Sequence, residues 1–427
     1  MSKISKIKRC RICYNQKLIK IIDLKDQYIQ SSFIKKNSPK PYKKKIPLQL
    51  VLCKKCSLVQ LLHTVDKNIL YKNYWYESGI NSTMRLHLKT LAHEAIKLTN
   101  NQKKININIL DIGCNDGTLL NCFPKNIERY GIDPSQIIRK IKNNKIKIIQ
   151  DFFPPRRNQA LKNKKFDLIL SIAMFYDLDD PNIFVKNIKS KLKKNGVWIF
   201  ELSYLIDMLK LNSFDTICFE HLEYYSLNCL NFLMKKHNLK IFKISKNSIN
   251  GGSIRCFVTH KDNFIYDKKT NYNYCSRLLI NEKRLKVRNK YIYDKFALSI
   301  NIIKKRLLYI INNILKNKET IYVLGASTKG NTILQFLEID NKSIPYAIDR
   351  NKEKIGAKTL GTNIKIISEN KASNKEPNYK LVLPWHFKTE IIKRELNYLK
   401  KGGKLIFPLP SVTIISEKNY RKHVKKN

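Results

Sequence analysis

The segment Ile109-Leu110-Asp111-Ile112-Gly113-Cys114-Asn115-Asp116-Gly117-Thr118-Leu119-Leu120 decides the fold. An apolar run, Ile107 to Ile112, stops at a glycine and an acidic turn, and helical spacing resumes at Leu119. This pattern predicts a strand, a tight loop and a helix. Gly113 and Gly117, with Asn115 between them, let the backbone approach a ligand closely. A loop that cradles phosphate turns its amides to an anion and is usually followed by a basic residue. Here Asp111 and Asp116 are acidic and no Gly-Lys-Ser/Thr follows. The loop therefore suits a cationic ligand that carries hydroxyls and an amino group.

Around this segment the chain has room for two or three domains, with 427 residues and 43% hydrophobic content. No apolar run approaches the roughly 18 residues of a membrane span, and Met1 to Arg9 is charged with no apolar segment behind it, so the expected location is the cytoplasm. A formal net charge of +50 raises the question of nucleic acid. The lysines are spread through every segment, asparagine and isoleucine are over-used with them, and aromatic residues do not interleave with basic clusters. These three residue types share AT-rich codons, which accounts for the charge without a nucleic-acid partner. The tail, Lys418 to Lys426, is a local basic cluster and reads as a solvated terminus.

Near the N-terminus, Cys10-Arg11-Ile12-Cys13 and Cys53-Lys54-Lys55-Cys56 are separated by 39 residues. Two such pairs supply the four thiolates of a closed tetrahedral Zn(II) site, with a small sheet bridging the long interval. Redox chemistry at one pair is the rival reading. Cys114, Cys122 and Cys256 sit singly in apolar patterns and read as core. The stretch Tyr71 to Ser82 is both aromatic and polar; Tyr74 and Tyr76, two apart, share a face in extended structure. It either packs on the zinc lobe or presents phenols to a substrate.

From Asn106 to about His260 strands and helices alternate, as a doubly wound α/β sheet requires. The predicted strands are Ile107 to Ile112, Glu128 to Ile132, Lys147 to Gln150, Phe166 to Ile172 and Gly196 to Phe200, with helices between them. Asp133 ends the second strand, where a carboxylate can accept both ribose hydroxyls of an adenosine, and Asp151 ends the third, within reach of an adenine amino group. Together with the Gly113 loop they resemble the class I S-adenosylmethionine (SAM) methyltransferases. That resemblance implies that Asp111, Gly113, Asn115 and Gly117 hold the methionyl end of the cofactor.

After the fifth strand comes Phe219-Glu220-His221-Leu222-Glu223-Tyr224-Tyr225-Ser226, and later Asn250-Gly251-Gly252-Ser253. The cysteine pairs, the methyltransferase core and these two runs together resemble the sugar C-methyltransferases that act on nucleotide-linked keto-deoxysugars. The likeness covers essentially the whole chain. It implies a zinc-binding domain at 1–70, a Rossmann-like core at 71–262, a helical connector at 263–317 and a second Rossmann-like domain at 318–427. Two departures stand out. The family's usual run reads His-Glu-His before the leucine, and Phe219 takes the place of the first histidine; many relatives carry a histidine after the fourth strand, where this chain reads Met174-Phe175-Tyr176-Asp177.

In the last part, Thr320 to Asn331 repeats the strand, glycine loop and helix as Gly325-Ala326-Ser327-Thr328-Lys329-Gly330, a weak motif for any ligand. The resemblance implies a domain without a cofactor of its own that closes the substrate pocket; a second dinucleotide site is the alternative. Carbon methylation beside a ketone needs a base near neutral pH and a donor for the enolate oxygen. His221 is the candidate base. Glu220 is placed to orient it or bind a sugar hydroxyl, and Tyr76 or Tyr224 to donate to the oxyanion. O- or N-methylation of another small molecule, or SAM binding without catalysis, remains the competing reading.

Overall fold

A computed structural model describes residues 3–38, 40–71, 76–100, 107–156, 161–374 and 376–424; Tyr74 lies outside them. The central sheet has seven strands in the order Leu239–Asn247, Ser253–His260, Leu192–Ser203, Phe166–Ile172, Asn108–Ile112, Glu128–Ile132, Ile146–Ile149. The last five in this order run parallel, and the first two are joined on by antiparallel pairing. The chain winds outward from Asn108–Ile112 in one direction and then crosses to build the other side. The crevice where the direction reverses is where such sheets bind ligands.

The predicted helices beside the first strands are absent. Single 3-10 turns, Leu120–Cys122 and Gln136–Lys140, take their place. Pro124 explains the first, because it forces Phe123 into extended backbone (φ −87°, ψ 149°) one turn after the helix should begin. The helix Ser82–Asn100, upstream of the sheet, covers that face instead. Its Met84, Leu88, Leu91, Ala92 and Ala95 pack with Leu119, Leu120, Phe123 and Ile141 in one core cluster. Polar groups fix its other side: His87 Nε2 lies 2.7 Å from Glu201, and Arg255 bridges Glu201 and Glu94.

The N-terminal lobe is a four-stranded antiparallel sheet in the order Glu223–Tyr224, Val59–Leu61, Ile46–Cys53, Leu18–Gln27. Its edge strand therefore comes from the core chain just after His221. Two helices, Lys269–Arg284 and Lys290–Lys316, lead to the C-terminal sheet. That sheet has eight strands: Thr413–Ile415, Lys404–Phe407, Tyr379–Val382, Ile321–Leu324, Tyr346–Ile348, Lys365–Ile367, Lys358–Thr359 and Phe33–Ile34. It too reverses direction, at Ile321–Leu324. Its last strand, Phe33–Ile34, is donated by the N-terminal lobe. No helix among the described residues is long and apolar enough to cross a membrane.

Candidate active site

Both reversal points open onto one cavity of about 600 Å³. At the core's, Gly113 has φ +74°, and a Cβ there would come within 3.0 Å of Met174 on the neighbouring strand's loop. At the C-terminal one, Gly325 has φ +88° and a Cβ would come within 2.7 Å of Pro384. Each glycine is needed twice over, for its backbone conformation and for the close approach.

The core side of the cavity gathers Asp111, Gly113, Asn115, Asp133 and Asp151. Asp133 Oδ2 accepts from the Asn115 amide at 2.9 Å, while Oδ1 accepts from the Ser135 amide at 2.9 Å and its hydroxyl at 2.5 Å. Asp151 accepts from the amides of Phe152 (2.7 Å) and Arg156 (3.1 Å). The Asn115 side chain clasps the segment above it, accepting from the Ser78 amide at 2.9 Å and donating to the Tyr76 carbonyl at 3.0 Å. Asp111 is 2% exposed, and no donor among the described residues is hydrogen-bonded to its carboxylate. Burial and the Asp133 charge push its carboxyl well above the usual range. A buried carboxylate of this kind fits a ligand that brings a cation, as the ammonium and sulfonium end of SAM does, and SAM supplies an electrophilic methyl group when bound.

The opposite side is built from three separate parts of the chain. His221 Nδ1 lies 2.8 Å from the Thr216 carbonyl, so this nitrogen carries the hydrogen and Nε2 is left as a lone-pair acceptor. The ring stands edge to face with Tyr176 at 4.4 Å. Burial first, and then the Lys329 charge, lower its pKa to about 3, so it is neutral at physiological pH. Glu220 Oε1 accepts from the Ser31 amide at 3.3 Å, and Oε2 is buried with no hydrogen bond among the described residues. Burial raises this carboxyl, and raises Asp177 further with the help of Glu223 and Glu220. Tyr76, 47% exposed, lines the cavity near the Gly113 loop.

Two residues named from sequence stand outside this lining. Gly117 also has φ +74°, but its amide donates to Cys114 O at 2.9 Å and its Cα faces Ile141, so it shapes the loop from behind. Tyr224 is held in the N-terminal sheet opposite Val59, and its hydroxyl donates to Thr216 O at 3.4 Å, the same carbonyl that holds His221. Phe219, in place of the family histidine, is fully buried in the core cluster. Sequence reasoning missed Ser31, Lys329, Lys354 and His386, all of which line the cavity. The signal for Lys329 was its place at the start of a helix after a glycine loop.

The four cysteines of the N-terminal lobe come together as a zinc-binding site of four thiolates. Their sulfurs all lie within 4.8 Å of one another, with Cys10–Cys56 at 3.5 Å and Cys13–Cys53 at 3.4 Å. Zn–S bonds of about 2.3 Å in a tetrahedron put sulfurs about 3.8 Å apart. The knuckle is tied to the core by Asn182, which donates to the carbonyls of Arg11 (2.8 Å) and Ile12 (3.1 Å).

Comparison with known proteins matches a zinc binding domain to residues 10–71, a methyltransferase domain to 82–244 and the C-methyltransferase C-terminal domain to 248–410. The C-methyltransferase NovU of Streptomyces niveus is 24% identical over 419 residues, 96% of this chain and 97% of that protein. Over 99 residues, 22% of this chain and 40% of the relative, it is 35% identical to the ubiquinone biosynthesis O-methyltransferase of Pelagibacter ubique. Solved structures that align with it include an S-adenosylmethionine-dependent methyltransferase from Clostridium acetobutylicum (14% identity, 40% of this chain and 90% of that one, TM-score 0.32). Another is the plantazolicin methyltransferase BpumL with SAH (16%, 40% and 84%, TM-score 0.33). The cysteine site, the core that presents Asp111 and Gly113, and the C-terminal sheet that completes the cavity thus follow one another in the order of the matched domains, and the chain belongs to the SAM-dependent C-methyltransferases built from these three parts.

Proposed function

We propose that the chain methylates the carbon beside the ketone of a nucleotide-linked keto-deoxysugar. The observation that carries this reading is His221: its Nδ1 hydrogen is committed to Thr216 O, and its unprotonated Nε2 belongs to a ring that lines the cavity. An oxygen or nitrogen acceptor has a lone pair that can attack before its proton leaves, whereas carbon becomes a nucleophile only after losing a proton to a base. The likeness to NovU over almost the full length supports the same chemistry. In this reading Asp111 faces the cationic end of SAM, Asp133 its ribose and Asp151 its adenine. Glu220 takes a sugar hydroxyl and Tyr76 closes over the reacting carbon.

The test is incubation of the enzyme with S-adenosylhomocysteine and a nucleoside-diphosphate-linked 4-keto-6-deoxyhexose in deuterated water. The α-hydrogen should exchange although no methyl group can move, and His221→Asn should slow exchange by about 10²–10⁴-fold. Turnover of an oxygen or nitrogen acceptor by His221→Asn at the wild-type rate, with no exchange in either protein, would overturn the reading.

A further inference from the structure

Two sequence motifs stand so far without a chemical role, the Asn250-Gly251-Gly252-Ser253 turn and the Gly325 to Gly330 loop. In the structure they meet. Lys329 Nζ donates to the Asn250 carbonyl at 2.7 Å, and both residues line the cavity that holds His221. Asn250 is held with φ +55°, in a turn closed by the Gly251 amide on Ser248 O and the Gly252 amide on Ile249 O. On the other side, the helix that begins with Thr328 and Lys329 is locked to the segment carrying the base's anchor. Thr332, one turn beyond Lys329, donates to Ile217 O at 3.1 Å, next to Thr216. The lysine and the histidine are thus held to the same few residues of backbone, although 108 positions separate them in sequence.

We propose that Lys329 is a catalytic residue of the reaction proposed above: its ammonium hydrogen-bonds the acceptor's ketone oxygen and stabilises the negative charge that forms there when His221 removes the α-proton. The other two cavity lysines make their contacts away from the Thr216–Ile217 backbone that anchors His221 and the Lys329 helix. Lys354 donates to Ala326 O at 2.7 Å and lies over the Phe33 ring, and Lys67 lies 4.2 Å over the Phe152 ring, beside Asp151 on the cofactor side. Lys329 makes one hydrogen bond among the described residues and has two further N–H donors. Burial lowers the lysine's own pKa and the nearby Asp215 carboxylate opposes that shift, while the lysine's charge adds to burial in depressing His221 and His386, which line the same cavity.

The electron count closes with these groups alone. His221 Nε2 takes the proton, the C–H pair becomes the enolate C=C, and the carbonyl π pair moves to the oxygen facing Lys329. The pair returns when the carbon bonds to the methyl group as sulfur keeps the electrons of the broken C–S bond, and His221 passes its proton to water. The arrangement also answers a difficulty in the base. A neutral imidazole with a depressed pKa is a weak proton acceptor, and a cation aimed at the product oxyanion lowers the pKa of the carbon acid to compensate.

The test uses the full-length zinc-loaded protein, S-adenosylhomocysteine and the same 4-keto-6-deoxyhexose nucleotide. Lys329→Met should lower α-exchange, and kcat measured with S-adenosylmethionine in place of S-adenosylhomocysteine, by about 10²–10³-fold, the scale for loss of one oxyanion donor, with KM and S-adenosylhomocysteine affinity near wild type. Lys329→Ala, a second variant should the methionine fail to fold, should regain exchange on addition of methylammonium. Exchange at the wild-type rate in either variant, or a raised KM with unchanged kcat, would overturn the assignment and make Lys329 a binding group for the anionic carrier. Absence of exchange in wild type would instead overturn the carbon-methylation reading on which the assignment rests.

Discussion

Replacing Asp133 with alanine tests the cofactor side of the cavity, and the structure makes the expected outcome double. The carboxylate accepts from three donors of the protein itself, the Asn115 amide and the amide and hydroxyl of Ser135, and is 7% exposed. Removing it leaves these donors unpaired at about 1 kcal/mol each at the low end, so the variant should lose about 3 kcal/mol of local stability. Separately, two ribose hydroxyls lose a charged acceptor, worth about 1.5–3 kcal/mol, which is roughly a 10- to 150-fold rise in the dissociation constant. Asp133→Asn separates the two effects. Its one oxygen can stay on Ser135, but its NH2 then confronts the Asn115 N–H, so it should recover most of the stability and little of the affinity. Calorimetric titration with S-adenosylhomocysteine gives one number and the thermal midpoint the other. Binding within about twofold of wild type in both variants would refute the placement of the ribose on Asp133, since loss of a charged acceptor is worth more than that.

Metal analysis should find about one zinc per chain, and Cys53→Ser should cost folding of the N-terminal lobe as well as activity, because binding energy at such a site is folding energy; a metal-free, fully active preparation would refute this. Since Val59–Leu61, three residues after Cys56, pairs with Glu223–Tyr224, chelation should abolish methyl transfer before it weakens S-adenosylhomocysteine binding. For His221 the sign is set by a pKa lowered to about 3: the neutral base form persists as pH falls through the range where an ordinary histidine gains its proton near 6.5. The pH profile of kcat/KM should carry no acid limb from this group near 6.5, and a limb there that His221→Asn removes would show a solvated imidazole.

Strand positions were legible because a buried parallel strand leaves a continuous apolar run that ends at a glycine or an aspartate. Glu128–Ile132 and Phe166–Ile172 appear with the predicted bounds, and Asn108–Ile112 differs from its predicted start by one residue. The missing helix after Gly117 shows the limit of periodicity: Leu119 and Leu120 have the right spacing, but Pro124 acts within one turn and leaves only a 3-10 turn. The cysteine cluster was legible from spacing, since four thiolates in two pairs have few other uses in one lobe. The acceptor side was half legible. His221 could be singled out by chemistry, whereas Ser31 and Lys329 reach the cavity only through the pairing of lobes, which no local pattern encodes. Tyr224 shows the converse: an exposed-looking phenol in a run of polar residues turns inward because its strand is claimed by another sheet.

The strand Phe33–Ile34 has a consequence for how the chain is made. It completes a sheet whose other strands begin at Ile321, so it leaves the ribosome about 290 residues ahead of its partners. At roughly 5–20 residues per second that interval is some 15–60 seconds. During that time Phe33 and the Tyr28 backbone, which later binds Gln335, have no native neighbours to meet in that sheet. The first lobe to be synthesised is thus the last to be finished, and the Phe33–Ile34 strand, two residues beyond the cavity-lining Ser31, finds its partner strand only after translation has passed Lys358–Thr359. A complete cavity waits for the C-terminal sheet, and a nascent chain stalled before residue 321 can at most hold its metal and fold its core.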